Sequence, residues 1–247
     1  MQLDEKEKIE IDFWKNSPTE NPEITSPHNI LNKLGDARVF LDCLQRAKHI
    51  FDDSVTILEL GAGQGWASCI VKFLYPNAYI IVTDISQWAI ASVPKWEHIF
   101  QVKIDDTRVC KSYDIDVEDS SIDCVFSFAS AHHFVAHKRT LTEIHRILKP
   151  GGNCFYFYEP SCRAYLHKLS LWRMKSSRSE VPEDVLIYKT IQTLAYEAGL
   201  SCNLYFYPSL IKRGPIETIY FAMLNLLPLL QKILPSTISY HFAKPRT

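Results

Sequence analysis

Residues 57–66 read ILELGAGQGW. An apolar run, "VTILEL" at 55–60, breaks into three glycines separated by one residue each: Gly61, Gly63 and Gly65. Glycine permits backbone angles and close approaches that a Cβ forbids. A strand that stops in such a loop leaves room for a large ligand at its end. Glu59, two residues before the loop, can accept a hydrogen bond or pair with a cation.

A second signal lies about twenty residues on. "AYIIVTDIS" (78–86) reads as a buried strand ending in Asp84. One carboxylate there can accept from both hydroxyls of a ribose, or Asp84 can simply cap the next helix. Glycine loop and strand-end acid together point to a nucleoside ligand. The spacing narrows the choice. A pyrophosphate-binding dinucleotide loop needs GxGxxG, whereas this chain has GxGxG with Trp66 where the third glycine would stand. No GK[ST] follows, so a P-loop is excluded. A ligand with ribose but no pyrophosphate fits better.

Working outward, strands and helices alternate. "WASCIVKFLY" (66–75) is helical and stops at Pro76-Asn77. "QWAIASVPKW" is a helix broken near Pro94, and "TRVCKS" (107–112) a strand. "IDCVFSFAS" (122–130) and "NCFYFYEP" (153–160) are strands flanking a helix at 138–150. A helix at 184–200 and two strands, "SCNLYFYPS" and "ISYHFAKP", complete the series. Residues 1–35 read as a short helix carrying Ile9, Phe13 and Trp14, then an irregular Pro/Asn/Ser-rich segment, before an amphipathic helix at 36–50. The alternation predicts a mostly parallel sheet covered on both faces.

In this order and spacing the chain resembles the class I S-adenosylmethionine-dependent methyltransferases. The resemblance runs from about Val55 to Gly152 and rests on "ILELGAGQGW", "IVTDIS", "DSSIDCVFSFASAHHF" and "LTEIHRILKPGGNCFYFYEP". It implies a Rossmann-like, seven-stranded α/β sheet with an antiparallel last strand and a helical cap. It implies S-adenosyl-L-methionine as cofactor and S-adenosyl-L-homocysteine as product. Gly61 and Gly63 would lie against the cofactor's methionine part, Gly65 would belong to the same cofactor-binding loop, and Glu59 would fix the loop and the amino end. Asp84 would hold the ribose, Ile85 would face the adenine, and the backbone around Phe128, from Ser127 to Ser130, would flank the methionine. The sequence departs from the family pattern in "CKSYDIDVEDSSID", where the acid that commonly meets the adenine amino group would be Asp114, or be replaced by Ser112 or Tyr113.

"AHHF" (131–134) follows the fourth strand. His132 or His133 could serve as a general base, since an unperturbed pKa of about 6.5 suits that work near neutrality. The bland reading makes one structural and the other a site wall. Direct methyl transfer does not require a base, because alignment alone supplies much of the acceleration.

Composition bounds the rest. The chain has 247 residues, 47% apolar and 22% charged, with a net charge of −1. One domain is expected, with 1–50 as an amino-terminal helical cap, 51–160 as the cofactor-binding core, and 161–183 and 209–237 as substrate-side insertions. Neither a basic stripe nor an RNA-binding motif is present, so a nucleic-acid partner is not expected. Seven dispersed cysteines with no CxxC argue against a disulfide framework or a zinc site, and no metal is expected. The charged amino terminus is unlike a signal peptide and no apolar run reaches membrane-spanning length, which predicts a cytoplasmic protein without stable membrane insertion. Residues 216–234 carry only Glu217 and Lys232 as charges. They read as helices whose Tyr220, Phe221, Met223 and Leu224 would cover an apolar or aromatic small-molecule acceptor, or would fill core or a dimer contact. A third option is that 216–234 lies on a membrane surface, but its polar face carries too few Lys or Arg to favour it. A monomer or homodimer is expected. The rivals are a nucleotide-sugar or NAD-linked Rossmann enzyme, and a cofactor-binding protein that has lost turnover and acts by interaction.

Overall fold

The computed structural model describes residues 4–175 and 183–246. Of the expected insertion at 161–183, residues 176–182 lie outside the described residues. The strands are β1 (Thr56–Leu60), β2 (Tyr79–Asp84), β3 (Asp106–Val109), β4 (Ile122–Phe128), β5 (Leu148–Cys162), β6 (Leu186–Ile187), β7 (Ser201–Phe206) and β8 (Ser236–Ala243). The helices are α1 (Glu5–Asn16), α2 (Pro27–Arg46), α3 (Lys48–Asp52), α4 (Trp66–Leu74), α5 (Gln87–Ile90), α6 (Val93–Phe100), α7 (His137–Ile147), α8 (His167–Lys175), α9 (Tyr188–Glu197), α10 (Pro215–Leu226) and α11 (Pro228–Gln231).

The sheet order is β3-β2-β1-β4-β5-β8-β7, with two-residue β6 pairing the far end of β5. Among the described residues only β8 runs antiparallel to its neighbours. This is the expected seven-strand arrangement plus one short strand. Successive side chains of a strand point to opposite faces. Ile57 therefore packs with α2, α3, α4 and α6, whereas Leu58 and Leu60 pack with α7 and α9. In β5, Phe155 and Phe157 take the first face, Cys154 and Tyr156 the second.

The chain leaves β1 toward β2 on one side and returns to β4 on the other. That reversal makes a crevice at the carboxyl ends of β1 and β4, where open α/β sheets bind ligands. The register brings Leu60 level with Thr83, so the glycine loop emerges beside Asp84.

Three local details differ from the sequence reading. The helix expected from residue 36 begins at Pro27, because the Ser26 hydroxyl accepts from the Asn29 N–H and Pro27 stands in its first turn. Pro94 opens α6 rather than breaking a longer helix. The segment at 184–200 first adds a strand to β5, and its helix starts at Tyr188. All seven cysteines are buried free thiols.

Segment 209–237 leaves the carboxyl end of β7 and folds as α10 and α11. Phe221 and Leu224 are buried against the body of the protein, and the Arg213 guanidinium lies 3.9 Å from the Phe221 ring centroid. The Tyr220 hydroxyl donates to the Pro235 carbonyl at 2.6 Å.

Candidate active site

The three glycines have positive φ: +69° at Gly61, +54° at Gly63 and +76° at Gly65. Their roles differ. A Cβ on Gly61 would collide with the Ser130 hydroxyl, and one on Gly63 would lie 3.0 Å from the Trp14 ring. Gly65 instead caps α4, and a Cβ there would come within 2.8 Å of Val93, so its bareness serves helix packing.

A cavity of about 500 Å³ opens over this loop. Gly61, Gly63, Asp84, Phe128, Ser130 and His133 line it from the sheet side. Glu10, Phe13 and Trp14 of α1 form the opposite wall. A narrower extension of about 60 Å³ shares Glu10, Gly61, Asp84, Ser130 and His133 and is lined further in by Ile85 and Ser112.

Asp84 is buried. Its carboxylate accepts from the Gly63 N–H and the Ser86 N–H, each at 2.8 Å, so it ties the glycine loop to the β2–α5 corner. Burial pushes its pKa up to about 6. Glu59 does not line the cavity. It turns back to α4, accepting from the Ser68 hydroxyl and, at 3.0 Å, the Ser68 N–H, and burial raises its pKa to about 8. It thus fixes the helix that follows the loop.

The two histidines separate. His132 is buried away from both cavities. Its Nδ1 lies 2.8 Å from Glu159, and although burial works against its charge, the Glu159 carboxylate outweighs that and raises the pKa. Glu159 also accepts from the Ser130, Ala131 and His132 N–H groups at 2.8–3.1 Å. It therefore shapes the whole turn after β4, and His132 is part of that support. His133 does face the cavity. Burial, then the neighbouring His132, pushes its pKa down to about 3. Its Nδ1 is 3.5 Å from Glu10, without the geometry of a hydrogen bond.

The departures in "CKSYD" are also resolved. Tyr113 donates to Glu7 at 2.7 Å and accepts from Lys111 at 2.8 Å, and Lys111 bonds Glu7 at 2.9 Å. This nearly buried triad clamps α1 to the sheet, so Tyr113 acts one layer behind the cavity wall. Asp114 pairs with Lys111 through a backbone bridge and lies outside both cavities. Ser112 lines the narrow extension, its hydroxyl 2.9 Å from Thr140.

Sequence reasoning missed Glu10 and Glu159. Glu10 lies among apolar residues of α1. Burial, and then the nearby Asp84, lifts its pKa to about 7, and the Trp14 indole N–H donates to it at 3.2 Å. The one signal for Glu159 is an acid closing the aromatic strand "YFYEP".

The residues fit a nucleoside cofactor: two cavity-facing glycines have positive φ, a strand-end carboxylate faces the cavity, and His133 keeps a buried ring nitrogen without a hydrogen-bond partner. Residues 58–156 match the methyltransferase domain family. Over that stretch, two fifths of the chain, the sequence is similar to a methyltransferase domain. An uncharacterized methyltransferase of Schizosaccharomyces pombe is 32% identical over 101 residues, which is 41% of this chain and 38% of that protein. The match thus spans well under half the length of that curated relative. Among solved structures, a candidate sarcosine dimethylglycine methyltransferase of Galdieria sulphuraria superposes with a TM-score of 0.60 at 18% identity, over 84% of each chain. The phosphoethanolamine N-methyltransferase 2 of Haemonchus contortus, solved with S-adenosyl-L-methionine, gives 0.55 at 16% identity over 77% of this chain and 48% of that one. At such identities the likeness concerns the fold of the methyltransferase domain. Among the described residues no three His, Cys, Asp or Glu side chains gather as a metal site, and no helix is long and apolar enough to cross a membrane.

Proposed function

We propose that the protein is an S-adenosyl-L-methionine-dependent methyltransferase acting on a small apolar or aromatic acceptor. The observation that carries this reading is the juxtaposition of Gly61, Gly63 and Asp84 at the carboxyl ends of β1 and β2, lining one cavity with Ser130 and His133. The cofactor, when bound, supplies an activated methyl group on sulfur. Asp84 would accept from the ribose hydroxyls, the bare Gly61–Gly63 backbone would admit the methionine part, and Ile85 and Ser112 would line the base. Phe13, Trp14 and Phe128 give the cavity an aromatic part of its wall, beside the polar Glu10, Glu20, Lys33 and Gln64. His133, held neutral by burial, can accept a hydrogen bond from an acceptor hydroxyl or amine. The acceleration comes from positioning, which needs no strong base.

The alternative is a cofactor-binding protein without turnover, in which His132 serves only to support the turn after β4 through Glu159. Two measurements separate the readings. Calorimetry should show S-adenosyl-L-homocysteine binding and no NAD binding. Release of S-adenosyl-L-homocysteine should then be followed with small molecules extracted from the purified protein. Tight NAD binding without a response to S-adenosyl-L-homocysteine overturns both. Binding without release, across acceptors that do occupy the cavity, overturns the enzyme.

A further inference from the structure

We propose that the surface formed by α8, α10 and α11 docks this protein on an anionic lipid bilayer. Helix α10 is apolar on both sides. Phe221 and Leu224 face the protein, but Ile216, Ile219 and Leu226 face solvent, 83%, 73% and 80% exposed. Their spacing of three and seven places them on one stripe. Leu229 of α11, 76% exposed, extends it. A helix apolar all round belongs inside a core or against lipid, and none of the described residues lies over the outer stripe.

Helix α8 lies beside this stripe. Arg173 bonds Glu217 at 3.1 Å, Arg163 donates to the Lys232 carbonyl at 2.6 Å, and the Tyr165 hydroxyl donates to the Ile233 carbonyl at 3.3 Å. It adds Leu169 and Trp172, the latter 71% exposed, to the apolar surface. Tryptophan and tyrosine favour the boundary between lipid and water.

Charge complementarity chooses the occupant. Residues 161–174 carry Arg163, Lys168 and Arg173 and no acid; residues 209–235 carry Lys212, Arg213 and Lys232 against a single acid, Glu217. These two stretches carry six cations against one carboxylate, with Asp184 beside His167 of α8 as a second acid, an excess of positive charge in a chain of net charge −1. Glu217 is already paired with Arg173. Lys212 and Arg213 turn inward to Asp36 and Tyr158, whereas Lys168 and Lys232 are exposed at the rim. The cations that the 216–234 stretch lacks come from α8. An apolar stripe with interfacial aromatics and a cationic rim is the pattern of a helix lying in a membrane surface. The surface extends from the carboxyl end of β7, which runs parallel to β4, whose carboxyl end borders the cavity.

The test is sedimentation of the full chain with vesicles of phosphatidylcholine alone, or mixed with phosphatidylglycerol. Binding to the mixed vesicles, weakened by salt and absent from the neutral ones, is expected. Ile219→Glu with Leu229→Glu changes two exposed side chains, so the fold should hold, as checked by circular dichroism, while binding is lost. Lys168→Gln with Lys232→Gln should weaken binding by about 25-fold, at about fivefold per cation near an anionic surface. Trp14, Trp66 and Trp96 are buried, and Trp88 is half-buried on α5 beneath Lys15 of α1, away from this surface, so a blue shift of tryptophan emission on binding should vanish in Trp172→Phe. A folded protein that ignores both vesicles overturns the proposal, as does unchanged binding by the double glutamate variant. So does light scattering that shows a dimer which the same variant dissociates, because a second copy would then cover the stripe.

Discussion

Asp84→Asn should weaken cofactor binding and, at neutral pH and above, stabilise the free protein. The wild-type carboxylate is buried and accepts two backbone N–H bonds, yet its pKa still rises from an ordinary 3.8 to about 6. A raised folded-state pKa means that the native state holds its proton more tightly than the unfolded chain. Its stabilising contribution is full below the unfolded pKa and is lost as pH rises through about 6. Above that, keeping the group ionised costs about 3 kcal/mol. Asparagine has no charge to bury. One backbone N–H loses its acceptor, but that loss does not vary with pH. The stability difference between variant and wild type should therefore shift toward the variant by about 3 kcal/mol between pH ~4 and pH ~8. For a chain of this size the relative melting temperature would move by about 6–12 °C. Binding goes the other way. Two ribose hydroxyls on a carboxylate contribute about 1.5–3 kcal/mol each, and an amide oxygen restores one neutral bond of about 1 kcal/mol. The loss is at least about 2 kcal/mol, or about thirtyfold in affinity. Scanning calorimetry across pH and titration with S-adenosyl-L-homocysteine measure the two. Unchanged affinity would reduce Asp84 to a brace for Gly63 and Ser86, and a stability difference independent of pH would refute the electrostatic account.

Other outcomes follow from the same geometry. Glu10, with a pKa raised from 4.5 to about 7, stabilises the free protein below its unfolded value and ceases to as pH rises through 7; affinity for the cationic S-adenosyl-L-methionine should accordingly rise over that range in wild type and stay flat in Glu10→Gln, by calorimetry at several pH values. Lys111→Met leaves Glu7 buried without its cation, at a cost of about 3–5 kcal/mol; hydrogen exchange over residues 5–16 should accelerate, and unchanged exchange would show that the Glu7–Lys111–Tyr113 triad does not hold α1. Leu224→Asp puts a carboxylate at a fully buried position and should cut the denaturation midpoint sharply, whereas a mobile cover over the substrate would tolerate it.

Sequence resolved the parts of this fold that are local. The apolar runs, the glycine spacing and the acid closing β2 each carry their own signal within a few residues, and they yield the alternation of strands and helices and the cavity floor, whereas the seven strands with an antiparallel last one follow only from the family resemblance. The site's other wall is long-range. Glu10 reaches the glycine loop across some fifty residues of chain, and Glu7 meets Lys111 across 104, so no window of sequence contains either pair. Tyr113 illustrates the limit. Its position in the chain suits an adenine contact, but only the packing of α1 shows its hydroxyl committed to Glu7. The two histidines fail for a similar reason. They are adjacent in sequence and chemically identical, and Glu159, 27 residues beyond His132, decides which one faces the cavity. The missed start of α2 is different in kind, since Ser26-Pro27 is a local helix opening hidden in a run rich in breakers.

Three carboxylates surround the glycine loop, Glu10, Glu59 and Asp84, and burial raises the pKa of each, to about 7, 8 and 6. They are not equivalent. Glu59 is enclosed and bonded to Ser68, so it remains a structural brace whatever enters the cavity. Glu10 and Asp84 both line the cavity, and the Asp84 charge is one cause of the shift at Glu10. Two carboxylates that repel each other across a small space gain together when a cation arrives, since an opposite charge within a few ångströms favours the ionised form. A ligand carrying positive charge would relieve a cost that the free site bears, and one of the same shape without that charge would not. The same pair that destabilises the free protein would then discriminate a sulfonium from the thioether left after its methyl group has gone, favouring release of the product.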